Sequence, residues 1–152
     1  MIASRAALLH AAVQDLRAGK VDGAARLAGL ADAAGPELAA LLRREAEQAT
    51  AQAHRFKDTG GDMDGPENLW MAGILDDAER DARQTEPGPL LDTALVGAVR
   101  KAKAAEIVSS ETAIALAHAL GDEPLEAAVR ANRAEEIESD RALKALLERL
   151  TA

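Results

Sequence analysis

The chain has 152 residues, 48% of them apolar, and a formal net charge of −8. An acidic balance of that size argues against nucleic-acid backbones and anionic membrane surfaces as partners, because both need clustered Lys and Arg to displace counterions. With no Cys, no Tyr, one Phe and one Trp, the chain has no disulfide, thiolate metal site or thiol nucleophile, and its core must come from close helix approach on Ala supplemented by Leu.

These bounds favour one all-helical domain spanning residues 1–152. Ser4 is a suitable N-cap for a first helix whose stripe runs through Leu8, Leu9, Ala12, Val13 and Leu16 and resumes at Leu27 and Leu30. Gly19, Lys20 and Gly23 fill the gap. They allow either one long helix weakened in its middle or two helices broken near Gly19, and one helix is the expectation. Gly35-Pro36 ends this element and opens a second, with Leu38, Leu41, Leu42, Ala46, Ala49, Ala53 and Phe56 on its face. Residues Asp58 to Glu67 have no periodicity and read as a loop. A shorter helix over about Glu67 to Arg83 carries Leu69, Trp70, Ile74, Leu75 and Ala78. After the stiff Glu86-Pro87-Gly88-Pro89 break, Leu91 to Leu120 mark about thirty helical residues, with Gly121 placed to end them. Asp122 and Pro124 open a last helix, with Leu125, Val129, Leu143, Leu146, Leu147 and Leu150 on one side. Four long helices, with the short one in the long connection between the second and third, predict a bundle of ferritin-like topology.

Each long stripe is interrupted near its middle by polar or charged residues: Lys20; Glu45 and Gln48; Lys103 and Glu106; and Glu135, beside Asn132 and Ser139. A charge sunk between apolar turns costs on the order of 3–5 kcal/mol if left unpaired, so four at similar height call for partners. In bundles that hold two metal ions, carboxylates and i, i+3 pairs project inward at mid-height, which makes Glu45, Glu106, Glu135 and Glu138 candidate ligands. His10, His54 and His118 occur once per helix without a histidine at i+3 or i+4, the pattern of surface or satisfied histidines. No base is placed beside a serine and no phosphate-loop spacing surrounds Gly60-Gly61, so no catalytic residue or nucleotide site is assigned. The two lysines point to a different arrangement. A protonated ammonium donates to carboxylates and cannot ligate a metal, so Lys20 and Lys103 facing Glu45, Glu106 and Glu135 would form an internal ion-pair network. The alternative is that both lysines snorkel outward along their aliphatic stems.

Several short motifs resemble the YciE/YciF-like branch of the ferritin-like superfamily. Leu91-Asp92-Thr93-Ala94-Leu95-Val96 is similar to that family's opening of helix three, Glu106-Ile107 to its Glu-Ile step, and Ala117-His118-Ala119-Leu120-Gly121 to its helix end. Glu135-Glu136 followed by Asp140 and Leu143 resembles its helix-four signature, and Gly61-Asp62-Met63-Asp64-Gly65 its loop. The resemblance implies a ferritin-like bundle, dimerisation, an association with stress responses and, in some members, carboxylate-rich metal sites. This sequence departs from the pattern where the family has a first-helix Glu (here Lys20), a second-helix His (here Glu45) and a Glu-His-Tyr-Glu run (here Lys103-Ala104-Ala105-Glu106). Glu106 and the Glu135/Glu136 pair carry over, with Glu47 a further match.

The expectation is therefore a stress-associated ferritin-like protein whose vestigial dimetal site is replaced by a Lys/Glu network, with no cofactor, acting as a structural or homodimeric interaction module. Leu69, Trp70 and Ile74 are its expected interface. The alternative is an iron or manganese protein with oxidase or storage activity, in which Glu45, Glu106, Glu135 and Glu138, with His54, hold the metal. The residues Met1 to Arg5 are followed by no long apolar stretch, and no apolar run reaches the ~18 residues of a membrane span, so a cytoplasmic location is expected.

Overall fold

The computed structural model describes residues 1–59 and 63–152. Gly60, Gly61 and Asp62, in the loop after the second helix, lie outside the described residues. Five helices follow in order: α1 (Arg5–Ala31), α2 (Pro36–Asp58), α3 (Leu69–Gln84), α4 (Pro89–Leu120) and α5 (Glu123–Leu150). Their ends follow local chemistry. Ser4, Asn68 and Asp122 accept hydrogen bonds from Ala7, Met71 and Leu125 N–H groups at the starts of α1, α3 and α5. Pro36 and Pro89 sit in the first turns of α2 and α4, and Gly121 closes α4 at φ 68°, a left-handed conformation that glycine adopts without strain.

The buried residues of α1 recur at alternating steps of four and three: Leu9, Val13, Leu16, Lys20, Gly23, Leu27 and Leu30. The same alternation gives Leu38, Leu42, Glu45, Ala49, Gln52 and Phe56 in α2, and Leu125, Val129, Asn132, Glu136, Ser139, Leu143 and Leu146 in α5. This is the narrow seam of left-handed bundle packing. α1 packs on α2 and α4, and α5 packs on α4 and α2, so the four long helices form a ring in the order α1, α2, α5, α4. Leu9 and Val13 meet Ala113 and Ala117 at one end, and Leu27 and Leu30 meet Leu91 and Leu95 at the other; α1 and α4 are therefore antiparallel. With α2 and α5 also antiparallel and one crossover between the hairpins, this is the ferritin-like arrangement.

The crossover helix α3 lies along α1 and α4. It is held by Arg26, which reaches Asp76 at 2.5 Å and Glu79 at 2.7 Å, and by the Trp70 indole N–H on Asp15 at 3.0 Å. Gly19 permits this approach. The Asn68 amide that caps α3 also donates to the Asp15 carbonyl at 2.8 Å, and a Cβ at Gly19 would lie 2.9 Å from that amide nitrogen. α1 is thus continuous through Gly19, and the glycine serves a tertiary contact. At the other end, the Gly35 N–H donates to Asp92 at 2.9 Å, tying the α1–α2 turn to the start of α4.

Candidate functional site

Two apolar blocks fill the bundle. One gathers Leu30, Leu42, Leu75, Leu95, Val99 and Leu146; the other gathers Val13, Leu16, Phe56, Ile114 and Val129. Between them lies a layer of five charged side chains, one or more from each long helix, all buried: Lys20, Glu45, Lys103, Glu106 and Glu136. Lys20 Nζ stands 2.7 Å from Glu106 Oε1 and 3.0 Å from Glu136 Oε1. Lys103 Nζ stands 2.8 Å from Glu136 Oε2, 3.8 Å from Glu106 Oε2, and also pairs with Glu45 Oε2. Glu136, 1% exposed, bridges both ammonium groups.

Two ammonium groups and three carboxyls leave one negative charge in excess, which a proton on one carboxyl would remove. Burial pushes Glu106 up to about 7 against the opposing pull of Lys20, and its carboxyl is hydrogen-bonded to Glu136. Burial acts on Glu136 in the same direction, but Lys103 and Lys20 outweigh it and hold that carboxyl below the usual range. Lys103 is raised, since its three glutamate neighbours outweigh the desolvation that would favour the neutral amine. Burial thus favours a proton on Glu106, donated to Glu136, and that proton moves the layer toward charge balance as pH falls below 7.

Of the sequence-predicted network, the structure brings together Lys20, Lys103, Glu45 and Glu106; it does not bring in Glu135. That residue is half-buried at the α2–α5 seam, where Arg55 donates to Glu135 Oε1 at 2.8 Å and Gln52 donates to Oε2 at 2.9 Å. The physical reason is helical phase. Steps from Asn132 to Glu135 to Ser139 fit a helix stripe as well as steps through Glu136 do, but only Glu136 keeps the alternation of three and four that holds the seam inward. Gln48, half-buried, donates to Ser139 Oγ at 3.1 Å. Glu138 is exposed and pairs with Arg141 on the surface, so it is not at the centre. Glu47 is exposed as well. His10, His54 and His118 are all exposed; His54 lines a shallow α1–α2 cleft with Arg17 and Lys57, and His118 faces Glu126 at 3.2 Å. Of the expected interface residues, Leu69 is 76% exposed, whereas Trp70 and Ile74 are half-buried against the first apolar block and serve the docking of α3. Gln52 and Arg55 join this seam with no motif in the sequence to mark them. Their only signal is position: Gln52 sits on the α2 seam between Ala49 and Phe56, and Arg55 lies one turn beyond it, opposite Glu135.

The ferritin-like fold raises the question of a dimetal centre, and the donor set answers it poorly. Glu45, Glu106 and Glu136 converge, but the points on which their oxygens converge hold Lys20 and Lys103 nitrogens. A protonated ammonium offers no lone pair, and a divalent ion inserted there would sit within a few ångströms of two like charges. Among the described residues no group of three His, Asp or Glu side chains has metal-holding geometry. These residues do not fit iron or manganese.

The fold and its centre can now be set beside known proteins. The crystal structure of the Escherichia coli stress protein YciF superposes with a TM-score of 0.93 at 21% identity, covering 97% of both chains. YcfI from Rhodopseudomonas palustris, to which a structural role has been ascribed, superposes with a TM-score of 0.89 at 22% identity over 94% of both. At such identities the likeness speaks for the fold. No curated protein sequence matches the chain, and no helix among the described residues is long and apolar enough to cross a membrane. The family model for the domain of unknown function DUF892 matches residues 7–152, and the chain belongs to that family.

Proposed function

We propose that this protein is a metal-independent ferritin-like bundle in which an internal Lys/Glu network takes the place of a dimetal centre, and that it acts as a homodimeric structural or interaction module in stress responses. One observation carries the reading: each of two buried ammonium groups bridges carboxylates from different helices, at the height where a ferritin-like bundle would hold its ions. An internally paired centre, its carboxylates engaged by Lys20 and Lys103, provides no open coordination position. YciF is described as a stress protein and YcfI has had a structural role ascribed to it, in line with the stress association and the structural role proposed here.

Metal analysis of protein purified without chelators tests the metal-independent part. The expected result is substoichiometric iron and manganese, with a melting temperature unmoved by either ion or by a chelator. Stoichiometric metal that disappears in Glu106→Ala would overturn the reading in favour of a carboxylate-bridged iron or manganese protein. Sedimentation at micromolar concentration tests the dimer, and a monomer would remove that part.

A further inference from the structure

On the outer side of the α1–α2 seam, Ala24 and Ala53 leave a cleft of about 210 Å3, because neither side chain has the bulk to fill the space between the two helices. Leu16 shares an apolar block with Phe56, and Leu27 shares one with Ala46, so α1 and α2 run antiparallel. That direction brings Arg17 to the same end of the cleft as Lys57 and sets Ala24 toward the other end. His54 and Lys57, three positions apart, come from one face of α2. No Asp or Glu lines this cleft, in a chain with 26 acidic and 18 basic residues. The neighbouring cleft between α1 and the start of α3 also takes in Arg17, but there Asp22, Asp64 and Glu67 surround it. The donors on the α2 side are unspent. Arg17 gives Nη1 to Asp64 at 2.7 Å, which leaves Nε and Nη2. His54 and Lys57 have no ion pair or hydrogen bond with any described residue. Cations that converge on a recess with apolar walls act on a ligand more strongly than the same cations scattered over a surface, since the walls exclude water and focus the field.

We propose that this cleft binds a small organic anion, its oxyanion head held by Arg17, His54 and Lys57 and a short apolar tail laid on Val21, Ala24 and Ala53. Each cation has a part that suits the head. The guanidinium edge of Arg17 presents two free donors in a fixed plane, the ammonium of Lys57 presents three that rotate, and the imidazole of His54 donates from one ring nitrogen in either tautomer. Size and charge narrow the ligand. Sites for drug-sized molecules run to about 300–1,000 Å3, so this smaller cleft takes a phosphate monoester or carboxylate bearing one small ring or a short chain, and not a dinucleotide. An extended polyanion is disfavoured as well, because a chain of net charge −8 repels every part of it that lies outside the cleft. The site shares no side chain with the buried Lys/Glu layer, so it stands apart from the reading of that centre.

The test is titration of the isotope-labelled full chain with phenyl phosphate, inorganic phosphate and benzyl alcohol at constant ionic strength, followed by backbone amide and His54 ring resonances. Phenyl phosphate should saturate at millimolar concentration with shifts centred on the cleft. Inorganic phosphate, which has no tail, should bind about three- to tenfold more weakly, and benzyl alcohol, which has no charge, should not saturate. Lys57→Gln and Arg17→Gln should each weaken phenyl phosphate about three- to tenfold, and together by about thirtyfold or more. Lys57 has no partner to lose, so Lys57→Gln should leave the melting temperature unmoved and keeps the test independent of folding. Arg43→Gln, which removes a cation of α2 that pairs with Asp32 outside the cleft, should leave binding unchanged. Ala24→Leu should fill the apolar end and weaken phenyl phosphate more than inorganic phosphate. Shifts that rise without saturating and spread over exposed cations elsewhere on the surface would overturn the proposal, as would saturable binding that survives the double change at Arg17 and Lys57. Equal affinity for phenyl phosphate and inorganic phosphate would overturn the assignment of an apolar tail.

Discussion

Replacing Lys103 by Met keeps an unbranched stem of similar length and removes one of the two ammonium groups, leaving Glu45, Glu106 and Glu136 with Lys20 alone. Breaking a buried ion pair from one side destabilises by about 3–5 kcal/mol. The layer itself sets an independent ceiling, because one further carboxyl can take up a proton in place of the missing charge. A free Glu titrates near 4.3, so keeping it protonated at pH 7 costs about 2.7 pH units at about 1.36 kcal/mol each, or about 4 kcal/mol; at pH 5 the same proton costs only about 1 kcal/mol. The sign follows. The recruited carboxyl has a folded-state pKa above its unfolded value, so its proton is held at no cost below about 4.3 and stability is lost as pH rises. The destabilisation of Lys103→Met relative to wild type should therefore be about 3–4 kcal/mol at pH 7 and shrink to about 1 kcal/mol at pH 5, measured by urea unfolding at both. Adding Glu45→Gln should recover most of the loss, since it neutralises the carboxylate left without its lysine. A penalty that does not change with pH, or one below about 1 kcal/mol at pH 7, would refute the assignment of Lys103 to a shared charged layer.

Gly19→Ala should destabilise by about 1–3 kcal/mol in thermal unfolding, because its Cβ would press on the Asn68 amide at 2.9 Å and outweigh the gain in helix propensity. Gly23→Ala is the control: its Cβ would meet only Leu27 at 4.0 Å, so up to about 1 kcal/mol of propensity should appear as added stability. Asp92→Ala leaves the Gly35 N–H without its acceptor and should cost about 1–3 kcal/mol in the same assay. In the wild type, Glu106 titrates in the folded state at about 7 against about 4.3 unfolded, so its contribution is complete below about 4.3 and is lost as pH rises toward 7, an effect on the order of 3 kcal/mol. Glu136 is lowered, so its contribution is present above about 4.3 and is lost as pH falls below that. Unfolding curves across pH should show both limbs, and Glu106→Gln should flatten the upper one.

The bundle was legible because its signals are local. Proline and glycine breaks, Ser4, Asp122 and the recurring apolar steps report on neighbouring residues only, and the helices begin and end close to where those marks stand. The height of the charged layer was legible for a related reason: Lys20, Glu45 and Glu106 are each placed between apolar turns of the same helix. Glu136 was not, because a choice between adjacent glutamates depends on holding phase over several turns, and Asn132 and Ser139 lie within a helical step of either. Gly19 hid its purpose for another reason. Within α1 it reads as a weakness, and only Asn68, 49 positions further along the chain, supplies the contact that requires it. Trp70 was ambiguous by chemistry, since an indole suits an interface and a half-buried helix contact equally, and its bond to Asp15 comes from another helix and leaves no local signal.

A buried layer of five charges is a poor way to gain stability, since apolar side chains of the same volume often do better by about 1–4 kcal/mol, so its presence asks for another reason. The seams supply one. Ala46, Ala49, Ala102, Ala113, Ala117 and Ala128 line much of the interior, and small side chains specify few interlocking positions along a helix. Sliding one helix by a heptad, about 10 Å, would exchange Ala for Leu at modest loss through most of the bundle. It would not do so at the layer. A shifted α1 would set Lys20 against Leu95 and Val99 or against Ile114 and Ala117, and would leave Glu106 and Glu136 with one ammonium group between them. On this reasoning the charges penalise misregistered packings more than they stabilise the right one. A variant with Leu or Met at all five positions separates these contributions: it should unfold at higher urea yet show broadened side-chain resonances and bind a hydrophobic dye, while a variant both more stable and as sharply ordered as the wild type would show that register is set by the apolar seams alone.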